Sequence, residues 1–324
     1  MKPLSILDLT PIRQGGDIAS TLHESLQLAQ RAEALGYARY WVVEHHNTPS
    51  VASSATSVVM AYIAMGTRTI RIGAGGIMLP NHSPLMVAEQ FGTLAALFPD
   101  RIDLGLGRGI KSDDATMRAL RRVPGDEQQF PANVAELLRY MSVPAAGSPP
   151  AAVRAIPGEG TAVPVWMLGS SVGAAQLAAS LGLPFAYASH FAPDDVGRAL
   201  TVYRSQFVPS AQLAKPHVML SLSVAAADTD EEGRFLHSSA QQATVDPLPP
   251  PIENYESTID PKKLALLRHF FRFSLVGSRA TVAKGLTSFI ALYNPDEIIV
   301  TSQIFDIAAR CRSLEILSEV AKTL

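Results

Sequence analysis

The sequence predicts an α/β fold, a (β/α)8 barrel of the TIM type, and three observations carry that prediction. The strand-like segments are apolar on nearly every residue, helix-like segments separate them, and eight such strands occur within 324 residues. Strands that are apolar on both faces belong to a parallel sheet covered by helices. Eight β/α units suit a chain of this length. Periodicity does not show closure, so a doubly wound sheet stays open as the alternative.

The elements follow in order. "LSILDL" (4–9) is a short buried strand. "DIASTLHESLQLAQRAEALG" (17–36) carries one apolar helical stripe, with Asp17 placed to cap it and Gly36 to stop it. "ARYWVVE" is a strand, "ASSATSVVMAYIAMG" (52–66) a helix and "TIRIGAGGIML" a strand. "PLMVAEQFGTLAALFP" (84–99) is a helix opened by Pro84, and "RIDLGLG" (101–107) is the fourth strand. The alternation resumes with "VPVWMLGS", the helix "SVGAAQLAASLG", "PFAYASH", the helix "PDDVGRALTVYRSQF" and "HVMLSLSVAAA". It closes with "DEIIVTS" and the helix "FDIAARCRSLEILSEVAK". The eight strands centre near residues 6, 41, 72, 103, 166, 186, 221 and 299.

Two stretches break the rhythm. Residues 142–164 are rich in Pro, Ala and Gly. Residues 241–260, within a broader segment 238–262, hold four acids, no base and a Pro-Pro-Pro run that excludes regular helix. This second stretch is an insertion between the seventh and eighth strands. It reads either as a surface excursion or as a lid over the barrel mouth. Neither stretch separates two cores, so residues 1–324 read as one domain.

Composition removes several functions. With 47% hydrophobic and 17% charged residues there is ample material for a core. A net charge of −2 without a basic block argues against nucleic acid as partner. Cys311 is the only cysteine, so an intramolecular disulfide and a Cys-x-x-Cys site are both excluded. No stretch approaches the roughly 18 apolar residues of a membrane span, and the start is too short for a signal peptide. The expectation is a soluble cytoplasmic protein without a membrane partner.

Barrel enzymes build their sites at the C-terminal ends of strands. "WVVEHH" therefore puts Glu44, His45 and His46 at the mouth after the second strand. Alternation along a strand makes adjacent histidines diverge, which disfavours metal binding by the pair. A histidine facing the axis suits acid or base chemistry, and packing is the plain alternative. Gly73, Gly75 and Gly76 in the third strand mark either close approach of a ligand or a bulge. Gly105-x-Gly107 begins a dinucleotide fingerprint, but Ile110 stands where its third glycine belongs. Arg108 at the same strand end suits an anionic ligand or a neighbouring carboxylate. Gly169, Ser170 and Ser171 precede a helix, which suits phosphate binding or simple N-capping. Together, Arg108 and a phosphate site would suit a cofactor such as FMN.

Six motifs then occur in register: "LDLTPI", "AEALGYARYWVVEHHNTP", "IRIGAGGIMLPNHSPLMVAEQFGTLAALFPDRIDLGLGRG", "VWMLGSS", "GLPFAYASHFAP" and "YRSQFVPS". In them the sequence resembles the bacterial luciferase-like family of flavin-dependent monooxygenases, in its non-luminescent branch. The resemblance implies a (β/α)8 barrel with an insertion before the last strand and a site for reduced FMN at its mouth. It implies that His45 is catalytic, that Gly75–Gly76 forms a cis peptide under the flavin, and that Arg108 lies near the phosphate. Ser171, with Ser170 beside it, matches the phosphate-binding serine, and Gly173 and Ala174 offer backbone N–H groups nearby.

The implied reaction uses FMNH2 and O2, through a C4a-(hydro)peroxyflavin, to oxygenate a small organic substrate. A separate NAD(P)H:flavin reductase supplies the FMNH2, and the resemblance also implies a homodimer. The 53–65 helix, apolar nearly all round, reads either as a face for it or as a helix buried in the core. Two departures stand out. Gly107 replaces the reactive cysteine of luciferase, and "GIKSDD" replaces the usual loop after Arg108, although Asp113 keeps its acid. An F420-dependent hydride transferase on the same fold is the nearest rival. A non-catalytic flavin-binding protein and a metal-dependent barrel hydrolase are the others.

Overall fold

The computed structural model describes residues 2–109, 113–147, 149, 151–243 and 247–324. Eight parallel strands close into a barrel: β1 (Leu4–Asp8), β2 (Arg39–Val42), β3 (Arg71–Met78), β4 (Ile102–Gly107), β5 (Val165–Gly169), β6 (Phe185–Tyr187), β7 (Val218–Ala226) and β9 (Glu297–Thr301). The β6–β7 and β1–β9 pairings complete the ring. The doubly wound alternative is thereby excluded, and all eight predicted strands are barrel strands.

A ninth strand, β8 (Ser274–Gly277), was not foreseen. β7 pairs with β9 through Met219–Ser223, then runs on past the barrel and pairs with β8 through Ser223–Ala226. Its "SLVG" is buried only at Leu275 and Gly277, so it lacks the continuous apolar run by which the barrel strands were read.

Helices α1 (Ile18–Leu35), α2 (Thr56–Met65), α3 (Pro84–Leu97), α4 (Asp114–Ala119), α5 (Phe130–Met141), α6 (Val172–Leu181) and α7 (Val196–Gln206) cover the first six strands. α8 (Asp230–Gln242), the one-turn α9 (Tyr255–Thr258), α10 (Pro261–Phe270), α11 (Arg279–Tyr293) and α12 (Ile307–Lys322) complete the chain. The caps explain the boundaries. Asp17 accepts the Ser20 N–H at 2.7 Å while Ser20 Oγ accepts the Asp17 N–H at 3.0 Å, and Gly36 ends α1 at φ 84°. α2 starts at Thr56 rather than at residue 52, because Ser53 and Thr56 donate to the Val43 carbonyl and hold that turn against β2. The 241–260 stretch is not wholly irregular: its first two residues finish α8, and α9 lies within it. Its residues 244–246 lie outside the described residues.

The barrel interior is layered. Ile6, Tyr40 and Val42 face the helices, whereas Leu7, Trp41, Val43, Trp166, Met219 and Ile299 form a separate cluster inside the ring. Trp41 and Trp166 meet edge to face at 5.3 Å. Gly73 makes room for them, since a Cβ there would stand 2.4 Å from the Trp41 ring. Below lies an ionic plug: Arg39 bridges Asp103 at 2.7 Å and Glu297 at 3.0 Å, and Arg71 reaches Asp103 at 2.7 Å. With the lower end sealed, the free space is at the C-terminal end. No helix among the described residues is long and apolar enough to cross a membrane.

Candidate active site

That free space is a cavity of about 1350 Å³ across the mouth. The residues that the resemblance implies as catalytic or cofactor-binding all line it: His45, Gly75, Gly76, Arg108, Ser170, Ser171, Gly173 and Ala174; His46, Gly73 and Asp113 do not. They come from the ends of β2, β3, β4 and β5 and from the first turn of α6. The opposite wall carries Ser221, Ser223, Thr301 and Gln303, and α10 contributes Lys263, Leu266 and Phe270 at the rim.

The two adjacent histidines diverge, as strand alternation predicts. His45 lines the cavity; its backbone N–H donates to the Ser53 carbonyl at 3.0 Å. Its Nδ1 is buried without a partner. An unpaired imidazole lone pair costs less to bury than an unpaired N–H. The neutral ring therefore keeps its proton on Nε2, toward the cavity. Burial pushes its pKa below the ordinary imidazole value, with the Glu44 charge opposing the shift and His46 adding to it.

His46 turns the other way, into the wall. Glu44, 1% exposed, accepts from His46 Nε2 at 2.9 Å, and from the Met78 N–H, Asn81 Nδ2 and His82 Nε2 at 3.0 Å each. Burial alone would raise the Glu44 pKa, but the bonds from His82, Asn81 and His46 hold it below the usual carboxylate range. Glu44, His46 and His82 bring possible ligand atoms within 4.8 Å of one another, yet the carboxylate is already surrounded by four donors. The sequence placed Glu44 at this strand end but did not point to Asn81 or His82. These partners lie 37 and 38 residues further along, and only their position on the turn after β3 brings them back.

The glycines of β3 reconcile both readings offered for them. The register shifts between Ala74 and Ile77, and the Gly75–Gly76 peptide is cis. A Cβ on Gly76 would meet the Gly105 carbonyl oxygen at 2.7 Å, and one on Gly75 the Leu7 side chain at 2.4 Å. The bulge and the close approach therefore coincide, and the pair lies bare on the cavity wall.

On the β4–β5 side, Ser171 caps α6 and accepts the Ala174 N–H at 3.3 Å. N-capping, one of the two readings of Ser170–Ser171, is thus realised. Gly173 leaves the first turn open, since a Cβ there would meet nothing nearer than Ser171 Oγ at 4.0 Å. Arg108 is exposed at the cavity edge and has no carboxylate partner among the described residues. Of the loop beyond it, 110–112 lie outside the described residues. Asp113 caps α4 through the Ala115 and Thr116 N–H groups at 3.0 Å each. Those bonds and the Thr116 hydroxyl hold its pKa down to about 2.

His190 is a cavity residue that sequence reasoning left without a role. The signal was present inside "PFAYASHFAP", three residues past the end of β6.

Comparison with known proteins agrees with this architecture. The profile of the family described as luciferase-like monooxygenase matches residues 3–291. A protein of Escherichia coli (strain K12) named luciferase-like monooxygenase is 49% identical, over 99% of this chain and 97% of its own. The crystal structure of apo-MsnO8 superposes with a TM-score of 0.86 at 33% identity, covering 100% of this chain and 99% of that one. A type II Baeyer-Villiger monooxygenase from Pseudomonas putida, the oxygenating constituent of 3,6-diketocamphane monooxygenase in complex with FMN, shares the fold. Its TM-score is 0.73 at 19% identity, over 100% and 99% of the two chains.

Proposed function

The chain belongs to the luciferase-like monooxygenase family, and from that premise we propose that it is an FMN-dependent oxygenase of a small organic substrate. One observation carries the reading: an arginine without a carboxylate partner among the described residues, an open helix N-terminus, a bare cis Gly-Gly wall and an inward-facing histidine line a single cavity. At about 1350 Å³ it exceeds the roughly 300–1,000 Å³ of a pocket for one ligand. A cofactor and a substrate fit together.

The donor set fits FMN. Arg108 and the N–H groups at the start of α6, with the Ser170 and Ser171 hydroxyls, would hold the phosphate. Gly75–Gly76, with no side chain in the way, would lie against the ring. When bound as FMNH2, the cofactor supplies the electrons that reduce O2, placing one oxygen atom on the substrate and the other in water. Leu7, Trp41, Val43, Leu168 and Ile299 form an apolar floor that excludes water from the reacting centre. His45 holds or passes a proton at Nε2, the atom its buried Nδ1 leaves facing the cavity.

Reduced flavin comes, in this reading, from a separate NAD(P)H:flavin reductase in the cytoplasm. The chain acts as one domain, with residues 238–262 as part of a lid whose rim α10 extends. A homodimer would cover the outer face of α2, where Val58 and Met65 are 67% and 79% exposed. The test is a spectral titration with FMN and with riboflavin. One FMN per chain, held far more tightly than riboflavin, supports the reading; equal or no binding refutes the phosphate site.

A further inference from the structure

His190 stands across the mouth from His45. Around the ring, β3, β4 and β5 separate β2 from β6 on one side, and β7, β9 and β1 separate them on the other. Each histidine follows its strand's last residue by three positions. The two residues thus follow strands that stand opposite one another in the ring.

The His190 ring is fixed by Ser221 on the neighbouring strand β7. Ser221 Oγ lies 2.6 Å from His190 Nδ1 and accepts the His190 backbone N–H at 3.2 Å. The hydroxyl has one proton to give. At 2.6 Å the contact to His190 Nδ1 is shorter than an N–H donor makes to oxygen and suits an O–H donor. The Tyr187 carbonyl, 3.2 Å from the hydroxyl, already accepts the Ser189 N–H at 2.9 Å, so the hydroxyl proton points to Nδ1. Ser221 itself is anchored, its N–H donating to Ser189 Oγ at 3.0 Å. A neutral imidazole that accepts at Nδ1 carries its own proton on Nε2. Burial pushes the His190 pKa down to about 4, so the ring is neutral near pH 7. Nε2 has no partner among the described residues and is not one of the buried unpaired atoms. On a residue that lines the cavity, that leaves a free N–H donor toward the bound ligand.

The surroundings narrow what it meets. The proposed flavin contacts come from β3, β4 and β5. His190 opens the other half, with Ser223, Thr301 and Gln303 on the wall and an apolar floor of Leu7 and Ile299 beneath. We propose that His190 is a substrate-binding group whose Nε2–H donates to a carbonyl oxygen of an otherwise apolar substrate, holding it across the mouth from His45. This rests on the flavin reading only for which half of the cavity the substrate occupies.

Long-range proton–nitrogen correlation spectra of histidine-labelled protein test it, with His190→Phe assigning the signal. Acetophenone and its carbonyl-free isostere α-methylstyrene serve as probes, with and without FMN. The expected His190 ring has a bare Nδ1 and a protonated Nε2, and Ser221→Ala releases it to mixed tautomers. Acetophenone shifts the Nε2 signal and binds about fivefold more tightly than α-methylstyrene, as one neutral hydrogen bond predicts. The preference disappears in His190→Phe and returns in part in His190→Gln, which restores an N–H donor. A proton on Nδ1, a His190 signal unmoved by acetophenone, or an undiminished preference in His190→Phe overturns the proposal. If FMN fails to bind while the other results hold in FMN-free protein, the flavin reading falls and the His190 assignment stands.

Discussion

His46 Nε2 lies 2.9 Å from a carboxylate oxygen of Glu44, so the second of two adjacent histidines is tied into the wall while the first, His45, faces the cavity. Glu44 also accepts from the turn that follows β3. One carboxylate thereby locks the ends of β2 and β3 together, and these are the strands that carry His45 and the Gly75–Gly76 wall.

Glu44→Ala leaves the Met78 N–H, Asn81 and two imidazoles without their acceptor. A loss of about 3 kcal/mol is expected, read as a lower urea midpoint at unchanged slope. The wild type should also show an acid limb. The Glu44 pKa is lower in the folded than in the unfolded chain. Its contribution is therefore full above about pH 4.3 and is lost as pH falls through the folded value. Glu44→Gln should flatten that limb; an unchanged limb would remove Glu44 as its source.

His45→Ala should retain FMN binding and lose about 100-fold or more in turnover with supplied FMNH2. The folded pKa of His45 is depressed, so the neutral ring persists below the ordinary value of about 6.5. Its activity limb should therefore lie on the acid side of that value. The stability linked to His45 is full above about pH 6.5 and is lost as pH falls through the folded pKa. Turnover equal to wild type would remove His45 from the chemistry.

Gly76→Ala and Gly173→Ala should part company. At Gly76 the new methyl meets the Gly105 backbone oxygen at 2.7 Å, which cannot move aside, so about 1–3 kcal/mol of stability is expected to go, with FMN binding. At Gly173 the methyl enters open space, so thermal stability should hold while FMN affinity falls.

Arg108→Gln should weaken FMN binding about tenfold or more, the scale of one charge-assisted hydrogen bond. Riboflavin, without the phosphate, should bind wild type and variant alike. A parallel loss for both ligands would place Arg108 away from the phosphate.

Val58→Glu with Met65→Glu should leave the fold intact, because both side chains are mostly exposed. The mass by light scattering should fall from that of a dimer to that of one chain. An unchanged mass would clear α2 of a role in assembly.

Much of this architecture was legible in the residues themselves. The cap at Asp17, the stop at Gly36 and strands such as "LSILD", buried at every position, are local signals, and the sequence carries them plainly. Gly73, Gly75 and Gly76 marked either a close approach or a bulge, because a glycine weakens a buried strand, and the register shift at Ala74/Ile77 shows the bulge. What stayed hidden is non-local. The sequence does not say that Asn81 and His82 return to Glu44, or that Ser221 meets the His190 ring. Both relations depend on strands brought side by side by the fold. β8 escaped for a different reason, since it is buried only at Leu275 and Gly277 and lacks the continuous buried run of the barrel strands.

The most direct measurement mixes the protein anaerobically with FMNH2 and, separately, with reduced F420, and then admits oxygen in a stopped-flow instrument. The account predicts that FMNH2 binds one per chain and that its oxidation by O2 follows a course distinct from that of free FMNH2, altered in turn by His45→Ala. Tight binding of reduced F420 without binding of FMNH2, or oxidation indistinguishable from that of the free flavin, would contradict it.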